Sequence, residues 1–168
     1  METLQSSLVR LRVPLADDAE RWYVLFNDQR VMRFIGDGQI ASQAYYDGFV
    51  ARQRQAFADT RLCLFAVEVA GEVAGFCGLQ QWRQPWGPAG AVEMGWRFGA
   101  QHWGKGLAHE AGQLVVRYAR EQHLDKIVAM INVGNRRSTR LATSLGFSPA
   151  SEYLSPGNAT VACYTQEL

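Results

Sequence analysis

Val92-Glu93-Met94-Gly95-Trp96-Arg97-Phe98, Gln101-His102-Trp103-Gly104-Lys105-Gly106 and Leu107-Ala108-His109-Glu110-Ala111 follow one another closely, and their order decides the fold. Ala91 to Phe98 reads as a strand with Gly95 set inside it, and Leu107 to Gln122 reads as a helix. Ala108, Ala111, Val115, Tyr118 and Ala119 share one face of that helix, with Arg117, Arg120 and Glu121 off it. The segment between is a glycine-bearing loop at a helix N-terminus. The first N–H groups there lack intrahelical partners and the dipole leaves partial positive charge, so an anion is held well. Gly104 and Gly106 carry no Cβ to keep a phosphate from those N–H groups, and Lys105 can add a full charge. A glycine pair alone is common by chance; Gln101 three residues earlier and the strand–loop–helix setting give it meaning. A dinucleotide fingerprint would need a third glycine where His109 stands, and a Walker loop would need Ser or Thr where Gly106 stands.

Outward from this segment, the chain alternates short strands and helices. Leu8 to Val13 alternates apolar and basic residues, a half-buried strand that Pro14 ends. Asp17 or Asp18 can cap a helix carrying Trp22, Leu25 and Phe26, which Asn27-Asp28 closes. A second helix begins at Ser42 and carries Tyr45, Tyr46, Phe49, Val50 and Phe57. Leu62 to Val69 and Val73 to Leu79 form a hairpin across Ala70-Gly71-Glu72, followed by a loop from Gln80 to Gly90. Beyond the long helix come a strand at Lys126 to Ile131, a helix at Asn135 to Ser144 stopped by Gly146, and two strands around Ser155-Pro156-Gly157-Asn158. The order is β-α-α-β-β-β-α-β-α-β-β. The strand–helix–strand crossover requires one parallel, right-handed pair within a mixed sheet. No linker interrupts residues 1–168, so a single domain is expected.

Composition narrows the function. Of 168 residues, 48% are hydrophobic and 20% charged, an ordinary globular balance. The 17 basic and 16 acidic residues are spread without blocks, which gives no basic face for nucleic acid. Neither a secretory leader nor a membrane-spanning run is visible, so no membrane partner and a cytoplasmic location are expected. Cys63, Cys77 and Cys163 lie in apolar stretches and read as buried thiols; with His102, His109 and His123 unpaired, no metal site is expected.

Gln101-x-x-Gly104-x-Gly106 resembles the Q-x-x-G-x-G/A signature of the GNAT superfamily of N-acetyltransferases. Val92 to Phe98 and Trp103 to Ala111 are similar to the E-I-G-[YW]-x-L…W-G-[KR]-G-[YL]-A-T-E-A stretch of its RimJ/RimL-type, ribosomal-protein N-acetyltransferase-like branch. Asn135-Arg136-Arg137-Ser138 and Leu145-Gly146-Phe147 resemble the N-x-x-S…L-G-F of that branch. The resemblance implies an α/β fold with a mostly antiparallel sheet of about seven strands, one parallel crossover pair and four flanking helices. It implies that the strand carrying Glu93 bulges and parts from the next, leaving a V-shaped slot; a glycine within a strand, here Gly95, often marks a bulge or close approach. Acetyl-CoA is the implied cosubstrate. Met94, Gly95 and Trp96 would pair with its pantetheine amides as an added strand would. Gln101, His102, Trp103, Gly104, Lys105 and Gly106 would hold its pyrophosphate, and Asn135 would bond the pantetheine arm, cap the following helix, or both.

Transfer to an amine needs a base for the ammonium and a proton for the departing thiolate. Glu93, on the strand expected to line the slot, is the first candidate base, with Glu68 and Glu72 as rivals. Many members of the superfamily place a tyrosine where Ala142 stands; the resemblance then points to Ser138 as the donor to sulfur, with Tyr164 second. The acceptor is expected to be a primary amine, on a protein N-terminus or a small molecule, with Trp22, Tyr45, Tyr46, Trp82 and Trp86 as candidate walls. The protein is expected as a monomer or homodimer. The alternative is a non-catalytic acetyl-CoA-binding module with a sensing role.

Overall fold

A computed structural model describes residues 3–168. The strands are β1 (Thr3–Gln5), β2 (Arg10–Arg12), β3 (Leu64–Val69), β4 (Glu72–Gln81), β5 (Val92–Phe98), β6 (Lys126–Asn132), β7 (Ser148–Leu154) and β8 (Thr160–Glu167). The helices are α1 (Asp18–Phe26), α2 (Gln29–Met32), α3 (Gln43–Thr60), α4 (Leu107–Glu121) and α5 (Arg136–Ser144), with a 3-10 turn at Ala100–His102. One sheet takes the order β1-β2-β3-β4-β5-β6-β8-β7. Every neighbouring pair is antiparallel except β5 and β6, as the crossover through α4 requires.

The mixed sheet with one parallel pair agrees with the sequence reading, but the described residues hold eight strands and five helices. The additions are short. β1 has three residues, of which only Leu4 is buried, too few to show alternation. Asp28, read as closing α1, instead opens α2: its carboxylate accepts from the Arg30 N–H at 2.9 Å.

α4 lays Ala111, Val115, Tyr118 and Ala119 against Phe65, Cys77 and Ile127 on one face of the sheet. On the other, α1 and α3 bury Trp22, Phe26, Tyr46 and Val50 over Phe76 and Ala66. The Trp22 indole N–H donates to the Gly75 carbonyl at 3.1 Å. Asp18 does not cap α1. Its carboxylate takes both Arg12 Nη atoms, at 2.6 and 3.0 Å, and the Leu15 N–H at 2.7 Å. Arg12 Nε also meets Glu68 at 2.6 Å, so one guanidinium ties β2, α1 and β3 together.

β5 serves both faces. Met94, Trp96 and Phe98 join the α4 side, whereas Arg97 lies over Phe26 and Phe76 on the α1–α3 side, the side that strand alternation also gives to Glu93 and Gly95. The expected bulge at Gly95 is absent: β4 and β5 stay in register from Gly75↔Phe98 to Gln81↔Val92. Gly95 instead makes room for Leu64, whose Cδ2 would lie 3.2 Å from a Cβ there. The register shift falls in the neighbouring β3–β4 pair, at Val67/Glu68. The parting of strands is present, because β5 and β6 match at Glu93↔Val128 alone.

Candidate active site

Beyond Glu93↔Val128 the edge of β5 turns away from β6, so backbone groups of Met94 to Arg97 that point away from β4 face a slot. Two clefts meet there. The first, of about 800 Å³, runs from Trp96 past His102, Gly104 and Gly106 to α5. Gly106 is the N-cap of α4 with φ 77 and ψ 0, and no side chain caps the helix, so its first-turn N–H groups stay available. Gly104 (φ +72) and Gly106 (φ +77) have nothing within 4 Å of a Cβ, an open cradle of the kind an anion needs.

The electrostatics agree. Arg30, Arg33, Arg136, Arg137 and Arg140 line this cleft, and among the described residues no Asp or Glu does. Arg137 lies 3.8 Å over the Trp103 ring, while the Trp103 indole N–H donates to the Phe98 carbonyl at 3.0 Å. Burial, and secondly Lys105, push His102 below its usual range, which keeps it neutral near pH 7. The residues present therefore fit a polyanionic, elongated ligand such as coenzyme A.

The second cleft, of about 560 Å³, lies on the other side of the slot and shares Phe34, Ile35, Trp96, Arg97, Asn135 and Ser138 with the first. Tyr45, Phe49, Trp82 and Trp86 are aromatic walls, and Trp82 donates its indole N–H to the Trp86 carbonyl, which holds the two rings edge to face. Glu93 lines it. Burial raises its carboxyl from the ordinary 4.5 to about 7, opposed by a bond from Gln80 Nε2 at 3.1 Å. At the junction, Trp96 Nε1 donates to Ser138 Oγ at 3.2 Å, and Asn135 Oδ1 accepts from the Ser138 N–H at 3.2 Å as the N-cap of α5.

The slot thus gathers Glu93, Met94, Gly95, Trp96, Asn135 and Ser138 with His102, Trp103, Gly104 and Gly106. Gln101 and Lys105 are exposed and outside both linings. Glu68 is held by Arg10 and Arg12, Glu72 is exposed in the hairpin, and Tyr164 packs against the α4 core. Trp22 and Tyr46 are fully buried, so of the candidate walls only Tyr45, Trp82 and Trp86 face the cleft. Two features escaped the sequence reading. The arginine cluster joins α5 to the unexpected α2 region, although Arg136-Arg137-x-x-Arg140 was a visible signal on α5. Arg97 gave no signal beyond its alternation with Trp96.

This fold and slot define the acetyltransferases built on a parted mixed sheet. The model of the acetyltransferase (GNAT) domain matches residues 9–148, and the chain belongs to that family of acyltransferases, whose cosubstrate is acetyl-CoA. It is similar to the uncharacterized N-acetyltransferase p20 of Bacillus licheniformis, 28% identical over 88% of this chain and 83% of the relative. It is also similar to the L-methionine sulfoximine/L-methionine sulfone acetyltransferase of Pseudomonas aeruginosa, 38% identical over 56% of this chain and 58% of that one. A solved GnaT-family acetyltransferase from Bordetella pertussis shares the fold with a TM-score of 0.84 at 23% identity, covering 99% of both chains.

Proposed function

We propose that this acetyltransferase acts as one domain on a primary amine, by direct transfer from acetyl-CoA, with Glu93 as base. The observation that carries this is the Glu93 carboxyl, raised to about 7 by burial at the wall of the acceptor cleft. A carboxylate with that affinity can take a proton from an ammonium, directly or through water, and still be half ionised at neutral pH. Trp96 supports the other end. An indole N–H only donates, so Ser138 Oγ must accept from it, which leaves the Ser138 O–H to donate a hydrogen bond to a departing thiolate. The arginine-lined cleft and the N-terminus of α4 fit the phosphates, and the free edge of β5 fits the pantetheine amides.

The Pseudomonas relative, named for amino-acid analogues, supports a small-molecule acceptor over the protein N-terminus that the RimJ/RimL-type resemblance suggests. Three buried free thiols suit a reducing, cytoplasmic setting. The test is thiol release from acetyl-CoA across a panel of amines, alcohols and peptides. Turnover with primary amines is expected. Turnover restricted to hydroxyl acceptors would overturn the amine reading, and tight acetyl-CoA binding without release on any acceptor would point to a binding module.

A further inference from the structure

Arg97 lies on the wall shared by the two clefts, two residues beyond Gly95 and four beyond Glu93 on the same face of β5. Its guanidinium stands 5.1 Å from the Phe26 ring centroid and 5.2 Å from that of Phe76. Nη1 reaches the Tyr46 hydroxyl only at 3.5 Å, and Nε is buried without a partner. Among the described residues no carboxylate pairs with it, although Glu93 and Asp37 line the same cleft. Arg12, the other arginine that is not exposed among the described residues, holds two carboxylates.

An enclosed guanidinium facing only rings and phenols lacks the anion that would offset its loss of water. Ring faces return part of that loss, and a planar fork of donors fits a carboxylate best. We propose that the acceptor carries a carboxylate in the same small molecule as its amine, with Arg97 holding the carboxylate and Glu93 receiving the amine. The acceptor class is a free amino acid with an apolar side chain, which Tyr45, Phe49, Trp82 and Trp86 would enclose. The spacing agrees: in an extended strand the Cα atoms of Glu93 and Arg97 are about 13 Å apart. A bound amino acid with a hydrogen bond at each end spans roughly 9 Å, which leaves the two side chains to lean inward. Gly95 brings no side chain of its own between them, and Leu64 fills that place as an apolar floor of the cleft. A protein N-terminus presents a neutral amide where this carboxylate would sit and leaves the guanidinium unmatched.

The inference rests on the acetyltransferase reading above, and its test separates the two. Thiol release is compared for L-methionine and L-methioninamide, then for L-phenylalanine and its amide, with wild type, Arg97→Gln and Arg97→Lys. The amides have the more easily deprotonated amines, so chemistry alone favours them. Wild type is expected to prefer the acids by at least about 30-fold in kcat/KM, the scale of losing one partner of an enclosed charge pair. Arg97→Gln should bring that ratio to one or below through KM, and Arg97→Lys should keep part of the preference. Amides turned over as well as acids by wild type would overturn the carboxylate assignment and leave the acetyltransferase reading standing. If no amine is turned over, that reading fails, and tryptophan fluorescence of the CoA-saturated protein decides the assignment alone. A response to L-methionine but not to its amide supports it; equal responses overturn it. Neither wild-type comparison depends on how the variants fold.

Discussion

Glu93→Gln keeps the shape of the side chain and removes its ability to take a proton. The carboxyl titrates at about 7 because burial disfavours its charge, while the Gln80 amide offsets only part of that effect. At pH 6 about a tenth of the molecules hold Glu93 ionised, and at pH 8 about nine-tenths do. Wild-type kcat/KM, corrected for ionisation of the acceptor, should therefore climb roughly ninefold over that interval and level off above it. The variant should lose about 100- to 10,000-fold in kcat and this pH dependence with it, while acetyl-CoA binds as before. The assay is thiol release from pH 5.5 to 9, paired with calorimetric titration of CoA. A variant within about threefold of wild type would remove Glu93 from the base role.

Stability should move the other way. The folded state raises the Glu93 carboxyl from 4.5 to about 7, so it binds the proton more tightly than the unfolded chain does. That contribution is fully present below about pH 4.5 and is lost as pH rises through about 7. The interval is worth at most about 3 kcal/mol, and less in practice because Glu93 sits at a cleft wall that retains some solvent contact. Glutamine carries no such pH-dependent loss. Glu93→Gln should thus melt above wild type at pH 8.5, by about 2–4 °C for each kcal/mol, with the gap closing towards pH 4.5. A slower enzyme that is also harder to unfold at high pH separates removal of a strained base from simple damage. Melting curves that track each other across pH would refute the burial argument.

Ser138→Ala should lower kcat about tenfold with little change in the KM for acetyl-CoA, and an unchanged kcat would show that the hydroxyl does not serve the thiolate. Gly106→Ala forces a side chain onto a backbone at φ +77, at a cost of about 1 kcal/mol, and sets a methyl in the open cradle. Calorimetry should show CoA affinity down by about tenfold or more, and an unaltered constant would move the anion site elsewhere. Arg12→Ala leaves the buried Asp18 without its cation and Glu68 with only the exposed Arg10, which should destabilise by about 3–5 kcal/mol in urea unfolding. A loss below about 1 kcal/mol would mean that the network is incidental.

The fold was legible where periodicity or a cap was long enough to read. α4 shows its buried face in sequence and is found within a residue of its expected end; α3 starts at Ser42 as expected, and the structure shows Ser42 to be its N-cap, the hydroxyl accepting the Tyr45 N–H at 3.1 Å. Elements of three or four residues, β1 and α2, carry too little pattern to register, and missing α2 hid the arginines it brings to the cleft. Asp17 and Asp18 were equivalent as caps on paper. Only the position of Arg12 across the sheet edge assigns Asp18 to an ion pair, a contact local sequence does not encode. Gly95 was read as a bulge or a close approach; the second is found, and which group approaches is set by Leu64 on a strand two places over in the sheet. The site was legible in the same uneven way: the glycine loop and Glu93 stand out, while the free charge of Arg97 depends on which neighbours fail to pair with it.

The parting of β5 from β6 links these observations. A parallel pair joined through α4 can hold its ladder only where both strands run alongside, and here that is Glu93↔Val128. From that point β5 has three different environments at once. Its faces alternate, with Met94 and Phe98 sealed against α4 and Glu93, Gly95 and Arg97 turned to the second cleft. Its free edge carries backbone groups that a ligand with amides can satisfy as a neighbouring strand would. Closing the ladder would therefore abolish both proposed sites together, because the same seven-residue strand borders both clefts. Glu93 stands at the last paired position, held by its strand on one side and open to the slot on the other. Rigid support with partial burial is the combination that lifts a carboxyl to about 7 and keeps it aimed at a fixed point.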